Sequence, residues 1–235
     1  MPLLFMLAIA CSPTLRMPGP LGGLGGPPTA LEPGESPGPG EPGRDRAARD
    51  TFDSDAIVRV AQDFVGKSKL EVGGTRFRYD CSGLVEAVMA ASGGDYAGSS
   101  AMMYERARDE GVLRHRRNLN PGDLVFFDDT YDRNGNGRRD DALSHIAVVE
   151  TVAADDTATL IHLGSRGVVR IRMNLRDPDV VQRADGEVIN DYLRGKKAGD
   201  SPRTAYLAGE LWAGTATVAP NPTRRRRAGD AVAER

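Results

Sequence analysis

Apolar residues along the chain change their spacing near residue 112, from a helical repeat to a strand-like one. In SDAIVRVAQDFVG, residues 54–66, Ile57, Val58, Ala61, Phe64 and Val65 recur at helical spacing. Ser54 is placed to cap that helix and Gly66 to stop it. A second repeat, Leu84, Val85, Val88 and Met89, follows Cys81 and closes at Gly93-Gly94, and a third helix is predicted over 99–110, ended by Gly111. Beyond it, GDLVFFDD, HIAVVETV, TATLIHLG and GVVRIRM are short β-branched runs between turn formers, which predict strands of an antiparallel sheet. Helices first and strands afterwards is an α+β order, with N-terminal helices packed on the sheet. Residues 177–206 are charged and weakly patterned, and predict irregular structure.

The flanks read differently. The first ten residues, MPLLFMLAIA, are apolar but too few to span a bilayer, which takes about 20, so they read as the core of a secretion signal. Residues 12–52 hold much of the chain's 28 glycines and 15 prolines, and predict a disordered linker. The folded domain is expected over 53–215, with a basic disordered tail over 216–235 that includes four successive arginines, Arg224 to Arg227. Across the whole chain 31 basic residues nearly balance 33 acidic ones, so no global charge excess points to nucleic acid as a partner.

Chemistry concentrates on few residues, because the chain has two cysteines and three histidines. Cys81 falls in the first turn of the second predicted helix. There the helix dipole lowers a thiol pKa from its usual value near 8.5, as does a nearby imidazole. His115 lies among arginines in RHRRN, a poor catalytic setting. His145 and His162 lie in successive predicted strands, which places them on one sheet face. His145 then serves as base and His162 as the polar group that orients it. The plain alternatives are a core cysteine and two structural histidines, or a zinc site built from the same three residues. The loop from Asp132 to Asp140 imitates a calcium loop, with oxygen-bearing residues at positions 1, 3, 5 and 9 and glycine at 6. Leu143 stands where the bidentate glutamate belongs, so a glycine-rich turn is the first reading and calcium the second.

Two resemblances sharpen this picture. Ala8-Ile9-Ala10-Cys11 resembles a bacterial lipobox, with Leu7 one place further back than that motif's leucine. It implies that Cys11 carries lipid and that the protein is exported to the cell envelope, anchored to a membrane or periplasmic. Asp80-Cys81-Ser82-Gly83-Leu84-Val85, then Asn120-Pro121-Gly122-Asp123-Leu124-Val125-Phe126-Phe127, then Ser144-His145-Ile146-Ala147-Val148-Val149, resemble the NlpC-type bacterial cell-wall cysteine peptidases over residues 53–175. The resemblance implies a papain-like α+β core and hydrolysis of peptidoglycan stem peptides, typically between D-glutamate and diaminopimelate, with no cofactor required. It assigns Cys81 as nucleophile, His145 as base and acid, and His162 as third polar residue, with Asp80 and Ser82 contacting the free amino end of the stem peptide. A related cell-wall amidase and a non-hydrolytic wall-binding lipoprotein are the alternatives. Family members carry a tyrosine ahead of the glycine pair that here is Gly73-Gly74; Leu70 occupies its place, and Tyr79 is the candidate substitute.

Overall fold

The computed structural model describes residues 53–138 and 140–219. The expectations for the signal, Cys11, the linker and most of the basic tail lie outside the described residues. Helix α1 (Ser54–Phe64) is capped one residue earlier than expected: the Asp53 carboxylate accepts the Ala56 N–H at 2.8 Å. A short hairpin, β1 (Glu71–Val72) and β2 (Thr75–Arg76), turns on Gly73-Gly74 and leads to helix α2 (Cys81–Ala91). Helix α3 (Ser100–Asp109) follows, capped by the Ser99 hydroxyl.

The remaining strands are β3 (Leu113–Arg114), β4 (Leu124–Phe127), β5 (His145–Val152), β6 (Thr157–Gly164), β7 (Gly167–Asn174) and β8 (Trp212–Ala216). They form one six-stranded sheet in the order β3-β8-β4-β5-β6-β7, and every neighbouring pair is antiparallel. The fold class is therefore α+β. The last strand among the described residues, β8, is threaded between β3 and β4, so residues 212–216 sit inside the sheet.

Alternation along the strands divides the core. Leu124, Phe126, Ile146, Val148, Ile161 and Val168 face the helices, where they bury Ile57, Phe64, Leu84, Val88, Met89 and Met103. Val125, Phe127, Ala147, Val149, Leu160, Ile171 and Met173 face the other way. β4 is buried on both faces, which is why LVFF reads as an unbroken apolar run. The second face is covered by the segment after β7, through Leu175, Leu193, Ala205, Ala208 and Leu211. That segment is irregular as expected, stitched by two isolated bridges, Gln182↔Val188 and Tyr192↔Leu207. Order extends past the expected boundary at 215: Thr217 donates its hydroxyl to Asp123 at 2.7 Å, and Ala219 is buried.

Asp123 explains part of the PGDLVFF motif. It is buried, and its carboxylate gathers the Asn120 N–H, the Arg114 guanidinium and the Thr217 hydroxyl, tying the turn before β4 to β3 and to the end of β8. Gly122 has φ +84°, and a Cβ there would approach Ser54 to 2.7 Å, so only glycine lets this turn pack on the start of α1. These are architectural roles.

Candidate active site

Helix α2 begins at Cys81 because Asp80 ends the preceding extended segment with a cap: one carboxylate oxygen accepts the Gly83 N–H at 2.7 Å and the Ser82 hydroxyl at 2.9 Å. Gly83 is required by proximity, since a Cβ there would lie 2.0 Å from the Arg78 carbonyl oxygen. The DCSG sequence thus fixes where the helix starts and how closely the incoming chain folds against it. Cys81 is a free, partly buried thiol at the first helical position.

Burial pushes the Cys81 thiol above its ordinary range, the Ile146 N–H opposes that as the next largest influence, and the Asp80 charge adds to the rise. The N–H groups of Ser82 and of Cys81 itself also favour the thiolate, but the net direction is upward. This corrects the expectation that helix dipole and imidazole together depress the pKa. The donors are there, yet desolvation outweighs them. The Ile146 contribution also locates the sulfur beside the start of β5, next to His145.

His145 and His162 are both buried and joined by a hydrogen bond, His145 Nε2 to His162 Nδ1, at 2.8 Å. The β5–β6 register pairs Val148 with Ile161, so its continuation sets His145 opposite Gly164 and makes the histidines diagonal neighbours. Gly164 leaves room for that diagonal reach: a Cβ on it would sit 2.9 Å from His162 Cε1. Burial, then the neighbouring His162, pulls His145 down to about 3. Burial, then Arg166, pulls His162 down to about 4, against a weaker opposing influence of Asp191. At neutral pH the site therefore holds an uncharged thiol and two uncharged imidazoles.

All three side chains line one cleft of about 570 Å³. Asp80 also lines it; Ser82 does not, being buried with its hydroxyl donated to Asp80. Ser144 holds the neighbouring loop, its hydroxyl accepting the Thr130 N–H at 2.9 Å and bonding the Thr130 hydroxyl at 2.8 Å. Leu70 is buried in the helix-side core. Tyr79 lines the cleft with its hydroxyl donated to the Lys67 carbonyl at 2.8 Å. Sequence reasoning missed Tyr131 and Tyr192, which line the same cleft. Tyr131 stands near enough to Cys81 for the thiolate charge to push its phenol up, second to burial. No signal in the sequence marks them, since both residues lie in irregular segments without a repeat.

His115 lies away from the cleft, bonded to the Tyr104 hydroxyl at 3.0 Å. In the Asp132–Asp140 loop, the Asp132 carboxylate accepts the N–H groups of Asn136 and Gly137, and Asp140 accepts the Asn136 side-chain amide. Among the described residues no group of three or more His, Cys, Asp or Glu is arranged to hold a metal ion.

Comparison with curated proteins gave no match. Among solved structures, the crystal structure of an NlpC/P60 family protein from Bacillus cereus at 1.79 Å resolution is similar, with a TM-score of 0.40 and 19% identity over 72% of this chain. The aligned part is 41% of that protein, so the chain spans less than half of its length. The model of the NlpC/P60 family matches residues 67–171, a stretch running from just after α1 into β7. Members of that family are generally cell-wall peptidases. Over those residues, the thiol and both imidazoles included, the chain is similar to the NlpC/P60 family.

Proposed function

We propose that the protein is a cysteine endopeptidase acting on peptidoglycan stem peptides, at the bond between D-glutamate and diaminopimelate. The observation that carries the reading is the 2.8 Å His145–His162 hydrogen bond in the cleft that also exposes Cys81. With His145 Nε2–H donating to His162 Nδ1, the other ring nitrogen of His145 carries a lone pair for the thiol proton. Cys81 and His145 begin uncharged, so the nucleophile is generated by proton transfer as substrate arrives. The new thiolate meets the N–H groups of Ile146 and Ser82, whose stabilising effect is already present at the sulfur.

Attack on the amide carbon forms an S–C bond, and the Cys81 N–H, free of intrahelical partners at the helix start, is a donor to the developing oxyanion. His145 returns its proton to the leaving amine as the C–N bond breaks. It then takes a proton from the water that hydrolyses the thioester. His162 touches no reacting atom in this scheme; it holds the imidazole in one tautomer and orientation.

Digestion of purified cell wall, with mass spectrometry of the released peptides, tests the proposal. Cys81→Ala is expected to lose release of cleaved stem peptides by about a thousandfold or more while keeping the wild-type melting curve. Undiminished release by that variant overturns the mechanism.

A further inference from the structure

The β6–β7 hairpin pairs without interruption from Thr157↔Asn174 to Gly164↔Gly167, leaving a two-residue turn, Ser165-Arg166. Gly167, at φ +88°, closes it. This turn starts three residues after His162, and both Ser165 and Arg166 line the catalytic cleft. Arg166 is exposed, and among the described residues its guanidinium makes neither hydrogen bond nor ion pair. Other arginines nearby are engaged: Arg170 holds Glu150 through two bonds of 2.6 and 2.7 Å, and Arg172 holds Asp191 through two of 3.0 and 3.1 Å.

Among the described residues, Arg166 is the only arginine or lysine lining the cleft. The acid that lines it, Asp80, has one oxygen occupied by Gly83 and Ser82 and the other 3.9 Å from Arg78. The cleft therefore presents one uncommitted charge, a cation on a rigid two-strand support beside the catalytic imidazoles. A guanidinium offers a planar pair of donors matched to a carboxylate, and its low hydration favours such pairing in a cleft. Its charge already reaches His162, whose pKa it lowers.

We propose that Arg166 is a specificity-determining residue that pairs with a substrate carboxylate lying near the scissile amide. The proposal rests on the peptidase reading for the identity of the substrate, a short peptide, but its binding test does not require turnover. Peptide recognition then depends on whether that carboxylate is free or amidated. A carboxylate near the bond has two sources, an internal one on a side-linked residue or the peptide's own C-terminus.

The test uses alanyl-γ-glutamyl-diaminopimelate tripeptides in three forms: unmodified, amidated at the internal glutamate carboxyl, and amidated at the C-terminal carboxyl. Their binding to the full chain carrying Cys81→Ala is measured by calorimetry, with and without Arg166→Met and Arg166→Lys. With Arg166 present, one of the two amidations is expected to weaken binding about 10- to 100-fold and thereby name the source. In Arg166→Met the penalty for that amidation falls to about twofold or less, and Arg166→Lys, which keeps the charge without the fork, retains part of it. The proposal is overturned if neither amidation matters, or if Arg166→Met weakens all three peptides equally. Hydrolysis of the unmodified tripeptide by the wild-type chain is followed separately. Its absence alongside an intact binding preference counts against the peptidase reading and leaves Arg166 supported.

Discussion

His145 and His162 are kept from protons by burial, at about 3 and about 4, both far below the ordinary imidazole value near 6.5. In the unfolded chain they titrate normally. As pH falls below about 6.5 the unfolded state takes up protons that the folded state refuses, so stability is full above that pH and declines below it. Each histidine contributes a slope of up to about 1.4 kcal/mol per pH unit until its folded pKa is reached. The expected result is a melting temperature that drops between pH 7 and pH 5, with a shallower drop in His162→Gln. Thermal melts across that range check it; a flat wild-type profile contradicts the burial described here. The same depression keeps His145 uncharged throughout neutral pH. From the sequence, the histidines were legible as a pair because successive strands alternate. The thiol's direction of shift was not, since desolvation depends on packing that no local motif encodes.

At the level of elements, the helix that presents Cys81 depends on a contact five residues long. Arg78 brings its carbonyl against Gly83, where even a methyl group has no room. Gly83→Ala is expected to cost about 3 kcal/mol or more, because backbone on both sides must move. Chemical denaturation measures this, and alkylation of Cys81 under native conditions reports the accompanying displacement of the helix start. A cost below about 1 kcal/mol means the turn relaxes freely. The three helices and strands β4 to β7 were readable from periodicity or from continuous apolar runs, since each buries one regular face or, as in β4 and most of β5, both. β3 and β8 were not: Leu113-Arg114 and WAGTA are too short or too weakly alternating, and they are strands only because of the neighbours they pair with. Two tyrosines of the cleft escaped for a related reason, since Tyr131 and Tyr192 sit in connections with no repeat.

For the molecule as a whole, the family match ends at residue 171, but the folded structure does not. Residues 175–211 cover the second face of the sheet and lend Tyr192, Leu193 and Gly195 to the cleft. Residues 212–216 complete the sheet interior. Truncation after Leu211 is therefore expected to abolish cooperative unfolding, whereas truncation after Pro220 leaves the melting curve within a few degrees of wild type. Circular dichroism melts of the two products decide it. Equal stability of both overturns the claim that β8 belongs to the core.

The late arrival of β8 also bears on how the chain is made. Until residue 216 has emerged, β4 is paired on one side only, and its LVFF stretch offers an open edge with apolar side chains on both faces. Such an edge is a template for pairing with other chains. A ribosome that stalls, or a protease that nicks the chain between β7 and β8, releases a product prone to self-association. Synthesis of this protein therefore favours a holding factor that shields residues 124–127 until β8 slots in beside them.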